Sequence, residues 1–345
     1  MPRLTPLLAL TTFLLAAAAL QAQQPTIVHA QLTTEPVGTS LATRLDELRH
    51  SSTPVWVGYS IPVAPGFDKS NESDQTSFLE GDHESHTYRN DDSHPGQSID
   101  HETVLLRLAN NAIEKVRLER PARTLDAGNQ RFVWLTGVSE TDSIHTFAAL
   151  AHEPAMEGIA STAIFIIAVH RSPEATISLI GLAAPASPLA IREKAAFWLA
   201  NQRGKEGFEA IQRLAREDAD PKFRQKLTFD LTLTREPGGL DEIIRMAHSD
   251  SSPEVRKQAQ FWMAVKGGKK VSGDLRNLAE NDPDDQIRKS AVFALSRLPS
   301  EEAATQLIQV ASSSKDPAVR KQAVFWLGES KDPRALDYLT ALLRQ

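Results

Sequence analysis

The second half of the chain repeats the same residue types every 32 positions, and this period constrains the fold more than any other feature. Arginine follows the period in one series: Arg192, Arg224, Arg256, Arg288 and Arg320. Phenylalanine follows it in another: Phe165, Phe197, Phe229, Phe261, Phe293 and Phe325. A fixed period of this length is the signature of a repeat array, in which each unit packs mainly against its neighbours.

Three apolar columns, four residues apart, predict the first helix of each repeat, which we call helix A. In the first repeat the columns begin at Ile159, Ala163 and Ile167. Residues spaced i, i+4 and i+8 lie on one side of an α-helix, so the columns predict its buried stripe. A dipeptide that suits the N-cap and first turn precedes helix A in several repeats: Asp220-Pro221, Ser252-Pro253, Asp282-Pro283 and Asp316-Pro317.

A second set of apolar columns predicts the other helix of each repeat, helix B. Its columns begin at Leu179, Leu182 and Ala183, and Phe147 fits one period earlier. The spacing i, i+3, i+4 is typical of an amphipathic helix. Residues 139–345 are therefore predicted to form about six repeats of an α-α superhelix, behind a small mixed α/β N-terminal domain.

The repeat units resemble a known family of short helical repeats. The octets Asp316–Ala323 and Ser252–Ala259 and the helix B pattern Ala335-x3-Leu339-x2-Leu342-Leu343 are similar to the short HEAT-like repeat also found in phycobilin lyases. The resemblance implies a mainly α fold, a HEAT/ARM-like solenoid. It does not imply lyase activity, which would need a bilin-bearing partner, because many such arrays only bind other molecules.

The start of the chain predicts export. Residues 1–22 are typical of a secretory signal peptide, because Arg3 precedes an apolar run that ends in small residues. An uncleaved anchor is the alternative, since the run is barely long enough to span a bilayer. The chain has no cysteine, which excludes lipoprotein anchoring and disulfides. We therefore expect a periplasmic or secreted bacterial protein with no stable membrane span after cleavage.

Three further segments lie between the signal peptide and the array. Residues 23–66 are predicted to begin the small domain, with a helix at 39–50 and a strand at 55–59. Residues 67–101 are acidic and polar, which predicts a flexible insertion that contains histidines. Residues 102–138 are predicted to hold a β-hairpin and the connection to the array. This order of segments is loosely similar to exported bacterial HEAT-repeat proteins, a likeness that supplies no activity.

The acidic insertion contains the candidate metal ligands, which are His83, His86, His94 and His101. Imidazoles with carboxylates nearby suit Zn²⁺ or Cu²⁺. Their spacing matches no compact site, and the composition is that of a solvated polar loop, so no metal and no cofactor are expected. The HEAT-fold enzyme deoxyhypusine hydroxylase holds two irons with paired His-Glu motifs, but only His152-Glu153 lies in this array.

The arginine and aromatic columns have a structural interpretation, with a binding ladder as the alternative for the arginines. Each arginine is expected to bond an aspartate or a carbonyl group in the adjacent turn. Trp198, Trp262 and Trp326 share a column that is expected to pack between repeats, as are the phenylalanines. Asp230 interrupts the tryptophan column and could bridge a neighbouring arginine.

The solvent face of helix B is the predicted partner-binding surface, because its residues differ between repeats while the scaffold recurs. Its candidate residues are Glu209, Arg213, Asp241, Arg245, Asn277 and Gln309. No motif for nucleophilic catalysis or phosphate binding stands out. The net charge of −6 and the absence of a dense basic face argue against nucleic acid.

The sequence therefore predicts a non-catalytic scaffold in the bacterial envelope or exterior, with a protein or peptide as its partner. Two alternatives remain open. One is an enzyme or metal-dependent protein whose site lies in the N-terminal domain around His83 to His101. The other is a phycobilin-lyase-like activity, against which export argues.

Overall fold

The computed structural model describes residues 24–65, 67, 76–80, 100–153 and 157–344. Two compact units make up the chain, Met1–Ser187 and Pro188–Gln345. The predicted signal peptide at residues 1–22 and most of the predicted acidic insertion lie outside the described residues. Within the described ranges, every helix is too short or too polar to cross a bilayer.

The described residues of the first unit form a six-stranded mixed sheet and four helices. Its strands are β1 (Ile27–Pro36), β2 (Val55–Pro62), β3 (Ser77–Phe78), β4 (His101–Ala109), β5 (Ala112–Glu119) and β6 (Leu125–Thr136). Its helices are α1 (Leu41–Arg49), α2 (Glu140–His152), α3 (Glu157–Val169) and α4 (Glu174–Leu182). The strand order is β1-β6-β2-β4-β5, and β3 pairs with the start of β6. The predicted helix and strand near the start of this unit correspond to α1 and β2.

The predicted β-hairpin is present as β4 and β5. Its two turn residues, Asn110 and Asn111, both adopt positive φ angles, of 52° and 63°. Two consecutive left-handed residues make the tight turn whose twist matches that of paired antiparallel strands, and asparagine tolerates this conformation better than most residues. The local sequence is therefore sufficient to specify this hairpin.

Strands β1 and β6 are not predicted from the sequence, although they form the longest parallel pair of the sheet. β1 lies at the edge of the sheet and is mostly exposed, so it lacks the apolar alternation of a half-buried strand. Its pairing with β6 joins segments far apart in the chain, which no local pattern reveals.

Part of the predicted flexible insertion belongs to this sheet. Leu79 is fully buried in one cluster with Trp56 and Phe132. Glu80 accepts a hydrogen bond from Trp56 Nε1 at 2.7 Å and pairs with Arg107. Residues 76–80 are thus anchored to the core by one leucine and one carboxylate, and His101 begins β4 instead of belonging to a loop.

The second unit consists of five helix pairs, and its described residues contain no strand. The A helices are α5 (Leu189–Gln202), α7 (Pro221–Leu233), α9 (Pro253–Gly267), α11 (Asp285–Leu295) and α13 (Pro317–Gly328). The B helices are α6 (Gly204–Glu217), α8 (Gly238–Ser249), α10 (Ser272–Asn281), α12 (Ser300–Ser313) and α14 (Pro333–Leu343). The predicted fold class, a mainly α repeat superhelix with a small mixed α/β domain, is confirmed.

The apolar columns are buried as predicted, apart from the end of the array. Phe223, Val255 and Ile287 in the A helices have no exposed surface, and Leu275 in helix α10 has none either. Leu343 is 89% exposed because α14 is the last described helix and no further repeat covers its stripe.

One helix start also differs from the prediction. Helix α11 begins at Asp285, and its N-cap is Asp284, whose carboxylate accepts from the Gln286 N–H. The dipeptide Asp282-Pro283 therefore lies directly before the N-cap residue, and Asp282 itself is not the cap.

The A helices pack more closely against one another than the B helices do. Consecutive A helices are in contact along the whole series from α5 to α13, whereas consecutive B helices meet over a smaller part of their length. In a curved solenoid the side with the closer helices is the concave side. The A helices therefore line the concave side of the repeat unit.

Two glycines, one period apart, allow helix B to approach helix A. A Cβ atom on Gly207 would lie 2.0 Å from the carbonyl oxygen of Leu199. A Cβ atom on Gly239 would lie 2.8 Å from the carbonyl oxygen of Leu231. Backbone atoms cannot retreat from such contacts as a flexible side chain can, so the first two helix pairs need glycine at this position.

We predict that Gly207→Ala lowers the free energy of unfolding by about 1–3 kcal/mol, because the added methyl group forces α6 away from α5. The control is Gly273→Ala in α10, where a Cβ would meet nothing within 4 Å. That variant is expected to gain up to about 1 kcal/mol from helix propensity. Urea unfolding followed by circular dichroism measures both; equal stability of the two variants would contradict the close approach.

Candidate functional site

The arginine column joins each repeat to the next. Arg224 donates from Nε and Nη2 to the two carboxylate oxygens of Asp250, each at 2.9 Å. Its Nη1 donates to the carbonyl oxygen of Asp218 at 2.7 Å. The carboxylate pairing recurs along the array: Arg192 with Asp218, Arg256 with Asp284, and Arg288 with Asp316. The structural interpretation of this column is confirmed.

The first two of these ion pairs, those of Arg192 and Arg224, are withdrawn from solvent, and the later two are half-buried. Arg224 and Asp250 are both buried. Burial by itself would raise the pKa of the Asp250 carboxyl, but hydrogen bonds from Arg224 and from the Ser252 N–H outweigh it and lower that pKa. The arginines are committed to the scaffold and are not available as a binding ladder.

The A helices carry a row of aromatic rings on the side that faces solvent, and we call this row the aromatic face. It comprises Phe197, Trp198, Phe229, Phe261, Trp262, Phe293, Phe325 and Trp326. Phe261 and Phe293 stack with ring centroids 6.1 Å apart. Trp262 lies 4.9 Å from the ring of Phe229, in the preceding repeat. The rings therefore do pack between repeats as predicted, yet most are only half-buried and Phe325 is 55% exposed.

Two cations lie over rings of the aromatic face. Lys226 Nζ is 4.9 Å from the ring centroid of Phe229. The guanidinium group of Arg297 is 4.9 Å from Phe293 and 5.3 Å from Trp326. A cation over an aromatic face is attracted by the negative potential of the ring, so these contacts combine apolar surface with positive charge.

Asp230 takes the place of a tryptophan in this row and is fully buried. Lys226 Nζ donates to its Oδ1 at 2.5 Å, and its Oδ2 has no hydrogen-bond partner among the described residues. Burial raises the pKa of Asp230 to about 6 against the opposing effect of Lys226. The expected bridge to an arginine is therefore wrong, because the partner is a lysine one turn earlier in the same helix.

A cavity of about 320 Å³ opens on the aromatic face between helices α9 and α11. Its lining residues are Gln225, Glu254, Lys257, Gln258, Phe261, Ser290 and Phe293. Two aromatic rings lie beside five polar or charged side chains, so the pocket is open to solvent and mixes apolar with polar surface. Apart from Phe261 and Phe293, these residues are not predicted from the sequence, although all seven lie on A helices within about two turns of the phenylalanine column.

The predicted helix B surface is spread over four helices. Glu209, Arg213, Asp241, Asn277 and Gln309 are exposed, whereas Arg245 is half-buried. The structure does not gather them into one cluster, and their role in binding stays a prediction.

Some of these side chains already serve contacts between B helices. Arg245 Nε donates to the buried carboxylate of Glu242 at 2.6 Å. Arg216, from the preceding helix B, donates to the same carboxylate at 2.6 Å. Gln309 accepts a hydrogen bond from Arg276. Arg245 is therefore part of the scaffold, because its removal would leave Glu242 with one cation fewer.

The candidate metal ligands are mostly beyond what the structure describes. His83, His86 and His94 lie outside the described residues, and His101 is the first residue of β4, where it pairs across the sheet with Pro62. In the part of the chain that the structure describes, no cluster of three or more His, Asp and Glu side chains is placed to hold a metal ion.

The first unit has a buried polar cluster that the sequence analysis misses. Ser143 Oγ lies 3.0 Å from His170 Nε2 and 2.8 Å from the Tyr59 hydroxyl oxygen. His170 Nδ1 lies 3.8 Å from the carboxylate of Glu140. A serine that contacts a histidine, which in turn contacts a carboxylate, is the arrangement that activates the serine in many hydrolases.

The burial of this cluster decides its interpretation. Ser143, His170 and Tyr59 have no exposed surface, so a substrate cannot reach the serine hydroxyl. Burial also raises the pKa of the Tyr59 phenol, which keeps it a neutral hydrogen-bonding group. His170 is brought to Ser143 because Val63 pairs with it beyond the end of β2. The cluster therefore joins the sheet to α2 and α3.

We predict that Asp230→Asn stabilises the protein at neutral pH. The folded pKa of about 6 lies above the ordinary value of 3.8. Folding therefore favours the protonated carboxyl, and stability falls as pH rises from about 4 to about 6. The neutral variant escapes this loss, which amounts to at most about 3 kcal/mol at about 1.4 kcal/mol per pH unit.

Thermal unfolding between pH 4 and 8 tests this prediction. The control is Asp241→Asn on the exposed side of α8, which should leave the pH profile unchanged. A neutral-pH loss of stability in Asp230→Asn would instead mean that its ion pair with Lys226 outweighs the cost of burying it.

Comparisons with known proteins agree with the helical repeats. Residues 273–345 match the family model for HEAT repeats. A search of curated proteins finds no match. Solved structures that are similar in part include the following three. Human deoxyhypusine hydroxylase in complex with glycerol is 17% identical, with 60% of this chain and 80% of that chain covered and a TM-score of 0.32.

The other two similar structures are bacterial. The Escherichia coli protein YibA is 19% identical, with 58% of this chain and 76% of that chain covered and a TM-score of 0.36. The CpcE–CpcF complex of phycocyanin lyase from Nostoc sp. is 19% identical, with coverages of 53% and 97% and a TM-score of 0.24. With TM-scores this low, none of the three bears on what this chain does. The family match to residues 273–345 agrees with the paired helices observed there.

Proposed function

We propose that the protein is a non-catalytic scaffold whose repeat unit binds a protein or peptide partner. The observation that carries the proposal is the aromatic face, a row of half-buried rings along the concave side of the repeat unit. Rows of partly exposed apolar surface mark interaction sites in folded proteins. A concave solenoid surface can follow a partner over several repeats.

The chemistry of the described residues also supports a binding role. The arginines of the column form ion pairs between repeats. The one nucleophile–base arrangement among the described residues, Ser143 with His170, is closed to solvent. The aromatic face presents rings, lysines and amides, and these groups suit the binding of another molecule.

We predict that photo-cross-linkers on the repeat unit capture a defined partner in living cells. The crosslinking residue would replace Lys321 on α13 or Arg213 on α6, both of which are exposed, with Thr34 on β1 as the control site. Adducts should form at a repeat-unit site and not at Thr34, and the partner, identified by mass spectrometry, should bind the purified protein. No adduct at either repeat-unit site would contradict the scaffold, and stoichiometric metal in the purified protein would favour the alternative around His83 to His101.

The place of action is the second part of the proposal: the protein acts in the bacterial envelope or exterior. Its support is the sequence of residues 1–22, with Arg3 before an apolar run and Ala22 at the expected cleavage site. The absence of cysteine suits a protein that is neither lipid-anchored nor disulfide-bonded.

We predict that the exported protein begins at Gln23 and that deletion of residues 2–22 retains it in the cytoplasm. Cell fractionation and N-terminal sequencing measure both. A full-length protein in the membrane fraction would point instead to an uncleaved anchor, and a cytoplasmic full-length protein would contradict export.

A further inference from the structure

Lysines accompany the aromatic face through every repeat of the second unit. The positions three and four residues before each phenylalanine lie on the same side of helix A as the ring. One of these two positions is a lysine in each repeat: Lys194, Lys226, Lys257, Lys289 and Lys321. The same two columns contain a single acidic residue, Glu193. These two columns therefore carry a net positive charge, although the chain as a whole is negative, and Lys226 is paired there with the buried Asp230.

The remaining positions of these columns are mostly amides. Gln225, Gln258 and Gln322 stand beside the lysines, and Ser290 takes the equivalent place in α11. A glutamine side chain both donates and accepts hydrogen bonds, as a peptide backbone does. These glutamines can therefore bond the backbone of a ligand that runs across the helices.

Some of these lysines form weak ion pairs with carboxylates of the protein itself. Lys257 pairs with Glu254 at 2.7 Å, and Lys289 pairs with Asp285 at 3.0 Å. Glu254 and Asp285 are exposed, and exposed pairs of this kind contribute little stability. A partner's carboxylates can therefore share or replace these contacts at small cost.

The cavity between α9 and α11 adds an apolar position to this charged surface. Phe261 and Phe293 provide its aromatic walls, and Lys257 and Gln258 lie at its polar side. Its volume of about 320 Å³ is at the lower end of the range for ligand pockets, which suits one apolar side chain.

We propose that the aromatic face binds an extended acidic peptide segment of a partner protein. Partner carboxylates meet the lysine column, an apolar side chain enters the cavity between α9 and α11, and the glutamines bond the peptide backbone. The step from one A helix to the next is about 8–10 Å, so four A helices span about 24–30 Å. An extended chain covers that distance with about eight or nine residues. This inference rests on the proposed scaffold function and names its surface and its ligand.

A single-stranded nucleic acid also combines negative charge with groups that stack on rings. The acidic residues Glu193 and Glu254 beside the row would repel a continuous phosphate backbone, whereas a peptide can place neutral residues opposite them. The observations therefore favour the peptide, and nucleic acid becomes an outcome of the test.

The test uses two synthetic probe peptides of about ten residues. The acidic probe is built from glutamate, proline and leucine, and its basic twin carries lysine in place of glutamate. Binding to the full chain is followed by tryptophan fluorescence, because Trp262 and Trp326 belong to the aromatic face. We expect the acidic probe to bind at least about tenfold more tightly than its twin, with a preference that weakens as salt is added.

The decisive variant is the double reversal Lys257→Glu and Lys289→Glu. It should lose at least about tenfold in affinity for the acidic probe and gain affinity for the basic twin. An unfolded variant would lose both probes, so the exchange of preference separates a binding effect from a stability effect. The control, Lys270→Glu with Lys331→Glu, makes the same charge change at exposed sites outside the A helices and should bind as the unaltered protein does.

Three results would overturn the inference. The first is equal binding of the two probes by the unaltered protein. The second is a loss of binding in the control that equals the loss in the decisive variant. The third is tighter binding of an oligothymidine probe than of the acidic peptide. Cross-linking keeps the two proposals apart. Adducts at Arg213 with no binding of the acidic probe would leave the scaffold standing and move its partner to the B helices.

Discussion

The ion pair between a column arginine and an aspartate of the next repeat, which Arg192, Arg224, Arg256 and Arg288 form, is the interaction on which the repeat unit depends. Arg224 binds both oxygens of Asp250 and still donates to the carbonyl oxygen of Asp218, so one side chain fixes two successive turns. A buried ion pair is tolerated only when its remaining hydrogen-bonding groups are satisfied, and this geometry satisfies them. Because each pair links nearest neighbours, repeating it sets one rotation and one rise for the whole stack.

That stacking gives the two sides of the repeat unit different chemistry. On the A side the helices lie close together, and the rings of adjacent repeats meet, as Phe261 meets Phe293. On the B side the helices are further apart, and polar bonds such as that of Arg216 to Glu242 connect them. On the B side, some of the side chains that vary between repeats are thus already engaged in hydrogen bonds within the repeat unit. The side with the recurring rings keeps the larger apolar surface available to a partner.

The first unit shows why residue types alone do not establish an activity. Ser143, His170 and Glu140 have the identities and the order of a hydrolytic site, and Ser143 lies within hydrogen-bond distance of His170. Their burial makes the same contacts structural, since the hydroxyl of Tyr59 fills the place that a substrate would need. The cluster holds β2 against α2 and α3.

The sequence by itself determined the features that depend on local or periodic patterns. A 32-residue period placed the helices of the second unit, because a stripe buried in one repeat must be buried in the next. Asn110 and Asn111 specified a hairpin, because their conformation is a property of two residues. Only the tertiary structure decided the pairing of β1 with β6, the burial of Leu79 and the approach of His170 to Ser143, since each joins segments far apart in the chain. It also decided which helices line the concave side, because that depends on how closely the A and B helices pack, and a column of apolar residues predicts burial without predicting distance.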